Sequence, residues 1–381
     1  MQLTKHNYKQ NAYYLIYLIR CVLHNRIPAK EKLDKMDLSG VFAVAKAHSL
    51  AAIAAYALES AGIYDNAFEE AKNKAIRKNI ILDAERENVL KEMEKAGIWY
   101  MPLKGSVLKD MYPQIGMREM ADNDILFDAN RSQAVKAIME ALGFTTEHFG
   151  GSNHDVYQKP PVCNFEMHNA LFYRSAGEML FAYYADVRNR LIKDSYSGFG
   201  RHFSNEDFYI YITAHEYKHF SHGGTGLRNL VDRYGFLNHC SDDLDTSYIE
   251  TELSKIELLD YEKKSRDLAL KLFNGVKLDT EEKQFLDYYI FSGTYGTTEN
   301  LVENGVKARG GRITSRIRYG LDRFIGPVSR HNPSYTVFAA QYPTFYKHKL
   351  LLPLLPFYRL IHGLMNSRKR IITEIRTLMK L

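Results

Sequence analysis

The chain has 381 residues, which is enough to bury one large hydrophobic core or two to three smaller ones. Its hydrophobic content of 45%, charged content of 25% and net charge of +6 are ordinary for a soluble globular protein. The three cysteines (Cys21, Cys163 and Cys240) are scattered and lack Cys-x-x-Cys spacing, which excludes a disulfide framework and a zinc ribbon.

The N-terminal part of the chain is predicted to be helical up to about residue 95. Residues 13–19 are apolar, but the run is short for a secretory signal, and no run in the chain reaches the eighteen apolar residues of a membrane span. Residues 33–61 and 67–95 carry apolar side chains at helical spacing, and the second segment ends before Gly97. The expected location is the cytoplasm, with a peripheral membrane contact as an option.

The pattern changes at residue 98 to alternating strands and helices. Residues 98–103, 122–127 and 162–168 are predicted strands, and residues 144–148 and 154–159 are expected to form a hairpin. A short helix opens at Lys104, an amphipathic helix covers residues 131–142, and helices return from Ser204. We therefore predict an α+β protein. A small mixed-sheet core at residues 96–200 would lie between helical regions at 1–95 and 201–381.

The C-terminal fifth of the chain is strongly basic. Residues 301–381 contain 15 Lys and Arg against 3 Asp and Glu, a net of +12, whereas residues 1–300 contain 36 against 42, a net of −6. This asymmetry indicates an anionic partner, either RNA or an anionic membrane surface, and a solvated basic face is the alternative. The leucines of residues 350–360 favour a membrane headgroup layer, unless they pack under the core.

Two predicted strands carry carboxylates at alternate positions. Side chains at i and i+2 of a strand point to the same side, so Asp122 and Asp124 lie together while Asn123 points away. Glu166 and His168 likewise share one face of the later strand. If the two strands are neighbours, three carboxylates converge. Such a set suits a pair of Mg²⁺ or Mn²⁺ ions that promote phosphoryl or nucleotidyl transfer.

A phosphate-binding turn is predicted upstream of these aspartates. Gly105 and Ser106 lie where a strand becomes a helix, so free backbone N–H groups and the positive end of a helix dipole are expected together. Lys104 and Arg118 can add positive charge to the same phosphates.

Several motifs resemble one known family. They are PLKGSVLKDMYPQIGMREMADNDILFD at residues 102–128, ALGF at 141–144, NFEMH at 164–168, HEYKHFSHGGTGLRNLVDRYG at 215–235 and YPTFYKHKLLLPLLPFYRLI at 342–361. These stretches resemble a bacterial nucleotidyltransferase-like family of the polymerase β-type superfamily, whose signature runs Leu-Lys-Gly, Tyr-Pro, then Arg-x-x-x-Asp-x-Asp. Asn123 departs from the apolar residue usual between the two aspartates.

The resemblance implies a role for each candidate residue. Asp122 and Asp124 would bind the metal ions, and Glu166 would complete one metal site and help to deprotonate the acceptor. Gly105 and Ser106 would hold the triphosphate. The candidate supporting residues, for which helix packing is the alternative, are His168, Lys218, His219, Arg228 and Asp232.

A competing motif occurs at residues 215–219. His215, Glu216 and His219 match the His-Glu-x-x-His pattern of zinc peptidases, in which two histidines share a helix face and bind zinc. Phe208, Tyr211 and Ile212 lie on the same face, so we expect both histidines to point toward packing. The favoured function is Mg²⁺-dependent transfer of a nucleoside monophosphate from an NTP to an acceptor that the sequence does not identify. A zinc peptidase and a degenerate binding or scaffold protein are the alternatives.

Overall fold

The N-terminal region is helical, as the sequence predicts. The computed structural model of the chain describes residues 4–174, 177–240, 244–329 and 335–381. The first five helices are α1 (Lys5–Leu23), α2 (Lys30–Leu33), α3 (Leu38–Ala47), α4 (Ala51–Ser60) and α5 (Asn66–Lys95). The Asp65 carboxylate caps α5 by accepting from the backbone N–H groups of Ala67 and Phe68. After α5, Gly97 takes the left-handed conformation (φ +64°) that favours glycine.

A five-stranded mixed sheet follows α5. Its strands are β1 (Tyr100–Leu103), β2 (Asn123–Phe127), β3 (Thr145–His148), β4 (His154–Lys159) and β5 (Cys163–His168). Their spatial order is β1-β2-β5-β4-β3, with β2 and β5 parallel and the other neighbours antiparallel. Helix α6 (Gly105–Leu108) follows β1, and α7 (Ser132–Ala141) follows β2. The α+β fold with a small mixed sheet and the β3–β4 hairpin are thus confirmed.

Alternation along the strands divides the side chains between two faces of the sheet. Ile125, Phe127 and Phe165 pack in one hydrophobic cluster with α5 and α7, whereas Leu126 belongs to a second cluster on the other side. Asn123 points toward α5, where its Nδ2 donates to the Leu82 carbonyl (2.9 Å) and its Oδ1 accepts from Arg86 (3.0 Å). The expectation that residue 123 faces away from the carboxylates is therefore confirmed.

Helices that precede the sheet in the chain and helices that follow it share one hydrophobic core. After the sheet come α8 (Glu178–Tyr183), the short pair β6 (Ile192–Lys193) and β7 (Arg201–His202), then α9 (Asn205–Phe220), α10 (Leu227–Cys240), α11 (Thr246–Lys255), α12 (Leu259–Asn274) and α13 (Thr280–Ser292). The largest hydrophobic cluster joins α1, α3 and α4 to α10, α12 and α13. The N-terminal helices are thus held against the helices that form the far wall of the site described below.

The C-terminal helices leave apolar side chains exposed. They are α14 (Thr298–Lys307), α15 (Ile313–Ile325), α16 (Tyr335–Gln341), α17 (Pro343–Lys347), α18 (Leu355–Asn366) and α19 (Arg368–Lys380). Leu355 is buried, but Leu350 is 94% exposed and Leu354 is 55% exposed. For these two residues, the option that the leucines pack under the core is wrong. Within the described ranges, no helix combines the length and apolar character required to cross a membrane.

Candidate active site

Three carboxylates meet at one edge of the sheet. Asp122 immediately precedes β2, Asp124 lies on β2, and the parallel register of β2 and β5 places Asp124 directly beside Glu166. All three line a cavity of about 450 Å³. The convergence predicted from alternation is therefore observed.

Asp124 has two close hydrogen-bonding partners. Its Oδ1 lies 2.6 Å from the Lys104 Nζ and 2.8 Å from the His168 Nε2. Burial alone would raise the pKa of Asp124, but the Lys104 ammonium and the His168 ring outweigh burial and hold this pKa well below its usual range. These two contacts therefore favour the ionised form of Asp124.

The pKa of Asp122 is shifted in the opposite direction from that of Asp124. Burial and the negative charges of Asp124 and Glu166 raise the pKa of Asp122 to about 7. Its side chain has no hydrogen bond or ion pair with any residue that the structure describes. Like charges held this close favour either a proton or a cation between them.

Two histidines extend the group around Glu166. The Glu166 carboxylate lies 3.6 Å from the His168 Nε2 and 3.9 Å from the His154 Nε2. Ligand atoms of His154, Glu166 and His168 all lie within 4.8 Å of one another. His154 was not among the residues predicted from the sequence. The turn between β4 and β5 could have revealed it, because antiparallel pairing across that turn places His154 opposite His168.

The donor chemistry fits a divalent cation. Asp122, Asp124 and Glu166 offer the oxygen ligands that Mg²⁺ and Mn²⁺ prefer, and the imidazoles of His154 and His168 add nitrogen ligands of the kind that other first-row metals accept. The raised pKa of Asp122, which stems from burial and from its two acidic neighbours, is consistent with a site that a cation would stabilise. His168 contacts Asp124. It would therefore orient the Asp124 carboxylate as a metal ligand, and its own ring could also bind the metal.

In the predicted phosphate-binding turn, the side chains of Lys104 and Ser106 are bonded within the protein and do not point freely into the cavity. Lys104 pairs with Asp124, and its backbone has φ +49°. A Cβ on Gly105 would lie 2.4 Å from the Arg118 Nη1, so only glycine permits this close approach. The Ser106 Oγ donates to the Leu103 carbonyl (2.7 Å), and Ser106 is not among the residues that line the cavity. The triphosphate role of Ser106 stays a prediction.

Arg118 and Asp232, predicted separately, form one ion pair. The guanidinium donates to both carboxylate oxygens (Nε to Oδ1 2.8 Å and Nη2 to Oδ2 3.0 Å), and the Tyr112 hydroxyl donates to Oδ1 as well (2.7 Å). Both partners are buried at the cavity wall. Asp232 thus neutralises the charge that Arg118 was expected to offer to phosphates.

The far wall of the cavity comes from α9 and α10. His215, Lys218 and His219 all line it, so the expectation that both histidines point toward packing is wrong. Burial and the charge of Lys104 lower the pKa of Lys218 to about 8, and Lys218 forms no ion pair within the described ranges. Arg228 on α10 also faces the cavity, and its Nε is buried without a hydrogen-bond partner.

Glu216 does not behave as the general base of a zinc peptidase. Its carboxylate is buried, forms an ion pair with Arg233 and accepts from the Tyr289 hydroxyl (2.9 Å). A general base in that class must reach a metal-bound water. Because the Glu216 carboxylate is bonded to Arg233 and Tyr289, the structure disfavours the zinc-peptidase alternative, although His215 and His219 do share a face of α9.

A mixed sheet that brings two aspartates and a third carboxylate to one cavity is the arrangement that the sequence predicts for a nucleotidyltransferase. Residues 34–274 match the family model described as uncharacterised nucleotidyltransferase, and the chain belongs to that family. The match covers the helices from α3 to α12 and the whole sheet. Neither a curated protein nor a solved structure matches the chain significantly.

Membership of this family fixes the general activity. The chain is a transferase with a nucleotidyl-transfer function, and a nucleoside triphosphate is the substrate of such enzymes. Divalent metals are the general cofactors of the class, and the acidic and histidine groups of the cavity offer a site for one. The match ends before residues 342–361, so that part of the resemblance stays a prediction.

Proposed function

We propose that the protein uses Mg²⁺ or Mn²⁺ to transfer a nucleoside monophosphate from an NTP to an acceptor hydroxyl or phosphate, with release of pyrophosphate. The observation that carries the proposal is the meeting of Asp122, Asp124 and Glu166 at one edge of the sheet. A degenerate binding protein would have no need to retain three converging carboxylates.

Each side chain has a proposed role. Asp122, Asp124 and Glu166 hold the cation, which when bound neutralises the triphosphate and the charge that develops during transfer. Lys104 and His168 fix the Asp124 carboxylate, which they contact at 2.6 and 2.8 Å. Lys218 and Arg228, which lack ion pairs with the described residues, bind phosphate oxygens.

The reaction balances with these groups. An acceptor oxygen forms a bond to the α-phosphorus of the NTP, and the bond from that phosphorus to the bridging oxygen breaks, so pyrophosphate leaves. Glu166 accepts the proton of an acceptor hydroxyl. Its carboxylate is suited to this because it is partly exposed to the cavity and its ion-pair partners among the described residues are His154 and His168.

The test is a labelling experiment. Purified protein is incubated with Mg²⁺, cell extract and each of the four α-labelled NTPs in turn, and products are separated by size. We expect label from one or more NTPs to move to a larger or slower species. Absence of labelled product with all four NTPs, in Mg²⁺ and in Mn²⁺, contradicts the proposal.

We also propose that the C-terminal helices contact an anionic membrane surface. Leu350, Ile361, Met365 and Met379 are each 60% or more exposed. They belong to the segment with a net charge of +12. Apolar side chains interleaved with Lys and Arg suit a headgroup layer, in which each basic residue near the surface contributes about 1 kcal/mol. RNA binding would make no use of the exposed apolar groups.

A further inference from the structure

A second cavity of about 450 Å³ adjoins the active site. It is bordered by α3, α5 and the loop that precedes β2. Ala121, Arg228 and Tyr295 line both cavities, and Ala121 is the immediate neighbour of Asp122. A molecule seated in the second cavity would therefore reach the active-site carboxylates beside Arg228.

This second cavity is electropositive. Four cationic side chains line it, namely Lys46, Lys74, Lys78 and Arg228, against the carboxylates of Glu70 and Glu119. The Glu119 carboxylate also accepts from the backbone N–H of Ala52 (3.0 Å) at the start of α4. The four positive charges outnumber the two carboxylates even when both carboxylates are ionised.

The cations themselves lack partners. Lys46, Lys74 and Arg228 form no ion pair with any described residue, and the Lys78 Nζ donates only to the Ala121 carbonyl (2.6 Å). The Arg228 Nε is buried and unbonded. A buried donor without an acceptor costs free energy, and an anion in this cavity would offer acceptors to Arg228 and to the three lysines.

We propose that the second cavity binds a phosphate group of the acceptor substrate. The inference rests on the proposed function, since a transfer reaction needs a second substrate that meets the NTP at the carboxylates. The active-site cavity has a cation of its own for the triphosphate, Lys218, besides Arg228, which it shares with the second cavity. Arg228 links the two cavities, because its charge acts on Asp122 in one and on Glu119 in the other. The acceptor is therefore a phosphorylated molecule.

The test uses glycerol 3-phosphate, a simple phosphomonoester, and titration calorimetry with full-length protein. Inorganic tripolyphosphate with Mg²⁺ serves as the second probe, because it carries the triphosphate chemistry without a base. The variants are Lys46→Glu and Lys74→Glu, both exposed positions whose change leaves the core untouched. Lys91→Glu is the matched control, since Lys91 is an exposed lysine of α5 that does not line the cavity.

We expect glycerol 3-phosphate to bind the wild type whether or not tripolyphosphate is present. Each of the two cavity variants should weaken this binding about tenfold or more, because a cation that faces the phosphate becomes an anion, whereas Lys91→Glu should bind as the wild type does. Absence of binding, or equal binding by all variants, overturns the site. Competition between the two probes shows that the cavity takes the NTP's own phosphates and overturns the acceptor assignment.

Failure here is distinguishable from failure of the proposed function. The calorimetric readout requires no transfer, so an enzyme without labelled product can still bind the phosphomonoester. Conversely, transfer to an uncharged acceptor would uphold the nucleotidyltransferase and overturn the phosphate site.

Discussion

The Lys104 Nζ lies 2.6 Å from the Asp124 Oδ1 and joins the end of β1 to the middle of the site. Both side chains are largely withdrawn from solvent, with exposed fractions of 18% and 6%. In the absence of a metal, this ammonium supplies much of the positive charge that a buried aspartate requires. The pair therefore links the stability of the fold to the chemistry of the site.

Replacing Lys104 with Met should have two effects. Transfer should fall, and without divalent cations the free energy of unfolding should drop by about 3 kcal/mol, because Asp124 loses the nearer of the two side chains that hydrogen-bond to it. Denaturant unfolding with and without Mg²⁺ measures the second effect, and added metal should recover part of the loss. Lys109→Met is the control, since Lys109 pairs with Asp83 and Asp110 outside the cavity. An unchanged stability of Lys104→Met would contradict the importance of the pair.

The titration of Asp122 gives a stability that depends on pH. Burial and two acidic neighbours raise the pKa of Asp122 in the folded protein to about 7, whereas it is about 4 in an unfolded chain. The protonated form therefore stabilises the fold, and this contribution is fully present below pH 4 and lost as the pH rises through 7. Without metal, Asp122→Asn should thus be more stable than the wild type at pH 8, by no more than about 4 kcal/mol.

Thermal unfolding from pH 4 to pH 8 in a chelator tests this expectation. The gap between variant and wild type should close toward pH 4, and Mg²⁺ at pH 8 should stabilise the wild type more than the variant. A gap that stays constant across this range would show that Asp122 does not carry the raised pKa.

Glu216→Gln separates the structural role of this residue from a peptidase role. The change leaves the buried Arg233 guanidinium without its carboxylate, so the free energy of unfolding should fall by about 3 to 5 kcal/mol. Glu250→Gln is the control, since its partly exposed pair with Lys263 contributes little. Stoichiometric zinc in the purified protein, together with absent nucleotidyl transfer, would favour the peptidase instead.

Membrane contact predicts selective sedimentation with vesicles. Full-length protein at physiological salt should sediment with vesicles that contain phosphatidylserine and remain in solution with phosphatidylcholine alone. Leu350→Asp should weaken sedimentation because it places a charge at a residue that is 94% exposed, and Ile27→Asp, at an N-terminal residue that is 70% exposed, should not. A gel-shift experiment with RNA runs in parallel, and retention by RNA but by neither vesicle would overturn the membrane assignment.

Strand periodicity was sufficient to predict the carboxylates. The two-residue alternation of strand side chains predicted that Asp122, Asp124 and Glu166 lie on the same side of the sheet. It also predicted that Asn123 lies on the opposite side, where it contacts α5. Both results follow from local backbone geometry, which the sequence encodes directly.

Contacts between side chains on opposite walls of the cavity could not be predicted from strand or helix periodicity. Arg118 and Asp232 are 114 residues apart, and their contact depends on how α10 packs against the loop that precedes β2. His215 and His219 share a helix face with Tyr211, which is buried, and helical periodicity does not distinguish a face that lines a polar cavity from one that enters the core.

The most direct measurement of the central claim is the rate of nucleotidyl transfer by Asp122→Asn and Asp124→Asn with the NTP that labels product in wild-type reactions. The control is Asp110→Asn, since Asp110 is exposed and lies outside the cavity. We expect both site variants to lose on the order of a hundredfold or more in rate while their circular dichroism spectra stay unchanged, and the control to keep its rate. Transfer at the wild-type rate by either folded site variant would contradict the assignment of these carboxylates to the chemistry.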